Sequence, residues 1–209
     1  MKPNFLAIEG PIGAGKSTLA RELSVRMNAD TLKEDPAANP FLPLFYRDMA
    51  RHALATQIFF LFQRANELGA IAQQKLFATP IVADYMFEKD PLFAKLTLDD
   101  QEFALYTQLY NHLKPRTPTP DLVIVLQASV DTLMQRIETR ARPMEKTITE
   151  EYLNALSNAY TQFFYTYNAA PLLIINTENL NFADNPADVD LLMERIEAMR
   201  GGREVFSRG

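Results

Sequence analysis

The chain has 209 residues, 47% of them hydrophobic, with a formal net charge of −5. That length suits one compact domain spanning 1–209, and the hydrophobic content excludes a disordered chain. The negative balance argues against general affinity for a nucleic-acid polymer, whose phosphates select basic surfaces.

Phe5-Leu6-Ala7-Ile8 is a short apolar run closed by a glycine turn, the pattern of a buried parallel strand. Thr18 to Asn28 reads as a helix with Leu19, Leu23 and either Val25 or Met27 turned inward. A short strand is expected around Thr31-Leu32. Pro36, Pro40 and Pro43 then predict an ordered loop over Glu34 to Pro43 rather than a helix. A long helix comes next, from Ala53 to Phe77, stopped by Pro80, and Ile81-Val82-Ala83 is another buried strand, ending at Asp84. The next helix is expected from Leu98 to His112, with Thr97 and Asp100 as its capping signal. Lys114 to Pro120 is a proline-rich connector, too short to separate domains. Leu122 to Leu126 is the clearest strand of the chain. Helices over Val130 to Arg140 and Thr149 to Asn168, a strand over Leu172 to Ile175 and a helix over Ala187 to Arg200 complete the pattern. Residues 201–209, opening on Gly201-Gly202, read as a frayed tail. Strands alternating with helices predict an α/β fold, a five-stranded parallel sheet flanked by helices on both faces.

No cysteine is present, so disulfides and thiolate metal sites are impossible, which fits a reducing cytoplasm. The densest apolar run, Ile58 to Phe62, is far short of a membrane span. No basic segment precedes an apolar one near Met1. Neither membrane association nor export is expected.

Gly10-Pro11-Ile12-Gly13-Ala14-Gly15-Lys16-Ser17 satisfies the Walker A pattern in full and lies between a predicted strand and a helix opening near Thr18. Glycines there turn backbone N–H groups inward to cradle phosphate oxygens, and the helix N-terminus adds positive potential. Lys16 suits the β- and γ-phosphates of a nucleoside triphosphate, and the Ser17 hydroxyl suits Mg²⁺. The alternative, a turn that merely links strand to helix, leaves Lys16-Ser17 unexplained. No Asn-Lys-x-Asp element for reading guanine occurs.

Ligands in such folds bind beyond the carboxyl ends of the strands. Asp84 ends its strand where an acid holds Mg²⁺ directly or through water; otherwise it is a cap or turn residue. Glu34 and Asp35 come after the short second strand, and either can be the functional acid or a solvated loop residue. Glu9 closes the first strand and reads as structural. Arg136 and Arg140, four residues apart, share a helix face, and Arg142-Pro143 leaves the helix ahead of Glu145. Arginines on a mobile lid stabilise charge on a transferred γ-phosphoryl; the bland reading pairs them with Glu138 and Glu145 on a solvated helix end.

At this point the chain resembles the deoxynucleoside kinase family, across nearly its whole length. Ile8-Glu9 through Lys16-Ser17 is similar to the family's own form of the phosphate loop. Glu34 stands at the place of the catalytic glutamate, and Asn39-Pro40-Phe41-Leu42 with Phe45-Tyr46 resembles the bacterial version of the segment beyond that glutamate. The resemblance implies a P-loop kinase fold with an arginine-rich lid, transferring the γ-phosphoryl of ATP, with Mg²⁺, to the 5′-hydroxyl of a deoxynucleoside. It implies that Tyr46 and Glu145 hold the sugar and that Gln57, Arg64 and Asp90 read the base. It assigns Arg136, Arg140 and Arg142 to the lid and places the donor's adenine between the lid helix and Thr177 to Asp184. A homodimer through the long helix is likewise implied. Two departures stand out. Many members carry an acid followed by Arg-Ser after the third strand, an arginine that grips the 5′-hydroxyl region, whereas this chain has Asp84-Tyr85-Met86. Asp35 also intervenes between Glu34 and Pro36. The Tyr85 variant and the Asn39 loop point to purine substrates, deoxyadenosine first. A nucleoside monophosphate kinase of thymidylate kinase type and a silent nucleotide-binding dimer are the alternatives.

Overall fold

The structure, a computed structural model, describes residues 2–74, 79–114 and 117–208. The elements are β1 (Phe5–Glu9), α1 (Lys16–Met27), β2 (Asp30–Leu32), α2 (Leu42–Phe45), α3 (Met49–Gln74), β3 (Ile81–Ala83), α4 (Asp90–Thr97), α5 (Asp100–Leu113), β4 (Leu122–Gln127), α6 (Val130–Arg140), α7 (Glu150–Thr166), β5 (Leu172–Asn176), α8 (Pro186–Ala198) and β6 (Arg203–Ser207). The end of the expected long helix, at Phe77, and residues 115–116 of the connector lie outside the described residues.

The strands form one parallel sheet in the order β2-β3-β1-β4-β5-β6. Every residue of β1 is buried, which an apolar strand achieves only when helices cover both faces. One cluster of buried side chains joins Leu6 and Ile8 to β4, β5, α1, α6, α7 and α8. A second gathers Phe5, Leu61, Leu68, Tyr85, Phe87, Tyr106 and Tyr110 around α3 and α5. The chain leaves β1 for β2 and β3 on one side and returns to β4 on the other. The strand order therefore reverses at β1, the position at which such sheets open a crevice beyond their carboxyl ends.

Several sequence expectations are corrected. The sheet has six strands, not five, because residues 203–207 are not frayed: β6 pairs with β5 from Leu172 opposite Arg203 to Asn176 opposite Ser207. Arg203 donates to the carbonyls of Phe164 (2.9 Å) and Tyr167 (2.8 Å), and Phe206 is buried with the Arg195 guanidinium over its ring. Its sequence, Arg203 to Ser207, holds only Val205 and Phe206 as apolar residues, with Val205 exposed, and its strand partners lie about 30 residues earlier. The expected loop over Glu34 to Pro43 contains a 3₁₀ turn at Pro36–Ala38 and α2, each with proline in its first turn, where a missing N–H costs nothing. α4 precedes the helix expected from Leu98. The cap of α5 is Asp99, whose carboxylate accepts from Gln101 N and Glu102 N while Glu102 reaches back to Asp99 N. In α1 the inward positions are Leu19, Ala20, Leu23 and Ser24, with Val25 exposed.

Phe206→Ala is expected to lower the unfolding free energy by about 3 kcal/mol, as truncation of a buried aromatic does. Urea denaturation checks it; a tail without fixed structure gives a change under about 0.5 kcal/mol.

Candidate active site

The phosphate loop joins β1 to α1 and needs its glycines for two reasons. Gly13 has φ +87°, and a Cβ there would meet the Leu133 carbonyl oxygen at 2.7 Å. Gly15 caps α1 at φ +97° with no side chain capping the helix, so the first-turn N–H groups lack an intrahelical partner. Lys16 Nζ donates to the carbonyls of Gly10 (2.8 Å) and Pro11 (3.0 Å). Burial, reinforced by the positive charge of Lys89, lowers the Lys16 pKa to about 8.

Beneath the loop Glu9 is fully buried and tied on all sides. It accepts from Met86 N at 2.7 Å, the Tyr160 hydroxyl at 3.0 Å and Gly10 N at 3.3 Å. Burial raises its pKa against the opposing pull of Lys89 and Lys16. This clamp links β1, the segment after β3 and α7, which accords with a structural role.

Asp84 stands one residue beyond β3, where burial of the strand delivers it to the crevice. Its Oδ2 accepts from the Ser17 hydroxyl and its Oδ1 from Glu34 N at 2.7 Å. The carboxylate thereby binds the phosphate loop to the segment after β2. Glu34 turns its side chain into the cavity. Asp35 turns away, exposed, to accept from Ala37 N at 3.1 Å as the cap of the 3₁₀ turn. Of the two neighbouring acids, Glu34 is the one within reach of a ligand there.

Glu34 Oε1 accepts from Arg64 Nε at 2.8 Å and lies 3.2 Å from Lys89 Nζ. Burial alone would raise the Glu34 pKa, but the charges of Arg64 and Lys89 outweigh it and hold the carboxylate well below its ordinary range. Arg64 in turn has Nη1 2.7 Å from Asp90 Oδ2. Asp90 also accepts from the Tyr106 hydroxyl at 3.1 Å. It is wholly buried and stands behind Arg64, outside the cavity wall, whereas Arg64 belongs to that wall.

One cavity is bordered by Ile12, Gly13, Lys16, Ser17, Glu34, Tyr46, Gln57, Arg64, Asp84, Lys89, Arg140, Arg142 and Glu145. Gln57 and Arg64 share a face of α3, two helical turns apart. The Gln57 amide donates to the Thr97 hydroxyl at 3.3 Å, which donates to the Phe93 carbonyl. α6 ends with Ala141 in the left-handed conformation, and the Pro143–Glu145 turn folds Glu145 back. The Glu145 carboxylate faces Arg140 Nη2 at 2.6 Å and Arg142 Nη1 at 3.5 Å. Arg136 sits apart from this group: it donates to the Thr177 hydroxyl (3.0 Å) and carbonyl (2.7 Å). It lines a second cavity with Gly13, Ala14, Gly15, Thr18, Arg140 and residues of the Thr177 to Asp184 loop.

Of the site residues expected from sequence, the first cavity gathers Ile12, Gly13, Lys16, Ser17, Glu34, Tyr46, Gln57, Arg64, Asp84, Arg140, Arg142 and Glu145; Asp90 is held one layer back, and Ala14, Gly15, Thr18 and Arg136 border the adjoining cavity. Pro11 and Gly10 border neither of these two cavities but receive the Lys16 ammonium. Lys89 was not expected. Its only sequence signal is a lysine five residues beyond a strand-end acid, set between Glu88 and Asp90.

The model of the family described as "Deoxynucleoside kinase" matches residues 6–199. The chain belongs to the deoxynucleoside kinase family. It is 32% identical over 200 residues to the deoxyguanosine kinase of Bacillus subtilis, covering 93% of this chain and 97% of that one. It is also 32% identical over 210 residues to the deoxyadenosine kinase of Lactobacillus acidophilus, covering 93% and 96%. Among solved structures, the deoxyadenosine kinase from M. mycoides with bound dATP superposes with a TM-score of 0.79 at 28% identity, over 93% of this chain and 100% of that one. Family and site together make the chain an ATP-dependent deoxynucleoside kinase.

Arg64→Met takes from Asp90 its guanidinium partner and leaves Glu34 with Lys89 alone. It is expected to cost about 3–5 kcal/mol of stability at neutral pH, the usual result of removing one partner from a buried charge set. Chemical denaturation measures this, and a loss under about 1 kcal/mol would show that the cluster tolerates loss of the guanidinium.

Proposed function

We propose that the kinase acts on purine deoxynucleosides, deoxyadenosine before deoxyguanosine, in nucleotide salvage. The supporting observation is that one cavity holds the phosphate-loop Lys16 and Ser17, an ionised Glu34 and the Gln57 amide of α3. An amide can pair with two neighbouring groups on a purine edge. Relatives named as deoxyguanosine and deoxyadenosine kinases support the purine class. In this reading Tyr46 and Glu145 hold the sugar, Gln57 and Arg64 face the base with Asp90 fixing Arg64, and the second cavity takes the donor's adenine beside Arg136.

In the reaction the 5′-oxygen forms a bond to the γ-phosphorus as the bond from that phosphorus to the bridging oxygen of ADP breaks. Glu34 receives the hydroxyl proton. Held ionised by Arg64 and Lys89, it is a weak base with an oxygen free to accept from the hydroxyl, which suits a loose transition state that asks for little early proton transfer. Lys16, Arg140 and Arg142 offset charge on the moving phosphoryl.

The contact between the Ser17 hydroxyl and Asp84 puts two hard oxygen donors beside the phosphate loop. Among the described residues no cluster of three or more His, Asp or Glu side chains is arranged to hold a metal alone. A partial oxygen site of this kind fits Mg²⁺, which keeps waters and takes further ligands from phosphates. When bound it would be held by Ser17 and Asp84 and would neutralise phosphate charge.

Among the described residues no helix is long and apolar enough to cross a membrane, and we place the enzyme in the cytoplasm. We also assign it a homodimer, for which exposed Phe62 on α3 and Leu105 on α5 offer apolar surface on two helices that pack together.

ATP consumption with Mg²⁺ against the four deoxynucleosides, their ribonucleosides and thymidylate tests the substrate class. The fastest turnover is expected with deoxyadenosine; a pyrimidine in first place overturns the purine assignment, and turnover with thymidylate alone overturns the nucleoside one. Glu34→Gln is expected to lower kcat by about 100-fold or more with ATP binding kept. Near-wild-type turnover would remove Glu34 from the role of proton acceptor.

A further inference from the structure

The cavity contains more positive charge than the proposed transfer employs, and its cations differ in what they have left to offer a ligand. Arg64 has all three nitrogens against carboxylates, Nε and Nη2 on Glu34 and Nη1 on Asp90. Arg140 and Arg142 converge on Glu145. Tyr85, next in the chain after Asp84, is fully buried and sends its hydroxyl away from the cavity to Glu67. That position therefore contributes no charge to the site.

Lys89 does. It closes the 3₁₀ turn Phe87–Lys89, is 1% exposed, and belongs to the cavity wall beside Glu34 and Asp84. Its Nζ lies 3.2 Å from Glu34 Oε1 and 3.9 Å from Glu9 Oε1. Only the first is a hydrogen-bond distance, and an ammonium carries three N–H donors. Glu34 Oε1 is the oxygen that Arg64 and Lys89 share; Oε2 takes no bond from the described residues. An acceptor hydroxyl bonded to Glu34 would consequently lie within reach of the remaining Lys89 donors. Lys89 is absent from the second cavity, so its charge belongs to the acceptor side.

Apart from the Arg140, Arg142 and Glu145 group, the balance of buried charge gives Lys89 a counter-ion role as well. Glu9, Glu34, Asp84 and Asp90 face Lys16, Arg64 and Lys89, four acids against three cations. Removing Lys89 would leave two cations to share four carboxylates before any phosphate arrives, and repulsion between like charges in a buried site is strong. A neutral nucleoside needs no further cation there; the phosphoryl group that it receives does.

We infer that Lys89 is a catalytic residue that binds the acceptor oxygen and the phosphoryl group transferred to it, the place in this chain from which that charge is supplied after Tyr85 has turned away. The inference rests on the deoxynucleoside kinase reading of the cavity.

Calorimetric titration with the deoxynucleoside turned over fastest, and with its 5′-monophosphate, separates this role from that of a structural counter-ion. Lys89→Met is expected to weaken monophosphate binding about tenfold or more and nucleoside binding less than about threefold, the size of one charge-assisted contact to phosphate. Lys89→Arg, which keeps the charge, is expected to recover most of the monophosphate affinity. If both ligands weaken in equal proportion, or neither weakens, Lys89 serves only the packing of Glu34 and Glu9 and the inference falls. Should Lys89→Met not fold, the same ratio is measured for Glu34→Gln with and without Lys89→Met, where one acid is removed with the cation. A selective loss for the monophosphate supports contact with phosphate, and an unchanged ratio overturns it. A wild-type chain that phosphorylates no deoxynucleoside overturns both readings, whereas an active wild-type chain with an unchanged ratio in Lys89→Met overturns this one alone.

Discussion

The Asp84 carboxylate joins three segments that are far apart in the chain. One oxygen takes the Ser17 hydroxyl at the start of α1, the other takes the Glu34 N–H beyond β2, and the residue itself ends β3. That bridge ties the phosphate loop to the main chain of the segment beyond β2, a strand that has only three residues and ends in loop structure. The parallel pairing of β3 with both β1 and β2 sets Asp84 at the correct height. The sheet and the bridge thus depend on each other: strand register delivers the carboxylate, and the carboxylate fixes the loops beyond the strands.

Around this joint the protein keeps an unusual amount of charge away from water. Glu9, Arg64, Asp84, Lys89 and Asp90 are all buried. Isolated burial of any one would cost several kcal/mol, so each persists only with partners. Glu9 has three hydrogen-bond donors, Arg64 two carboxylates, and Asp90 a guanidinium and a tyrosine. Such a network contributes little net stability compared with an apolar core of the same shape. Its effect is to hold Glu34 ionised and oriented before any ligand arrives, the preorganisation that the proposed role of Glu34 calls for.

The lid is set up differently. Arg140 and Arg142 are partly exposed and share the single Glu145 carboxylate, while Arg136 is anchored to Thr177. The two arginines that border the Glu34 cavity are held by one acid at a helix end, so an anion there would compete for them against one partner. Arg136 instead belongs to the wall of the second cavity, with Gly15 and Thr18. Of the two arginines that share one face of α6, Arg136 borders the second cavity alone and Arg140 borders both.

Much of this was legible in the chain itself, for local reasons. The phosphate loop is contiguous, so its glycines, Lys16 and Ser17 declare themselves without a fold. Apolar runs marked β1, β3, β4 and β5, and helical periodicity marked α6 at its observed limits, Val130 to Arg140. The resemblance to deoxynucleoside kinases came from motifs of this contiguous kind. What the tertiary structure alone decided depends on partners distant in sequence. β6 is a strand because β5 offers it hydrogen bonds and the core accepts Phe206, although Val205 faces outward. Glu34 rather than Asp35 enters the cavity because Asp35 is held by its own turn. Asp90 lies behind Arg64 because α4 starts there, and Lys89 reaches Glu34 because one 3₁₀ turn carries it back toward the sheet. Composition and local pattern determine which elements form and which loop cradles phosphate; the direction in which a buried charge points is set by charges tens of residues away, and only packing brings those together.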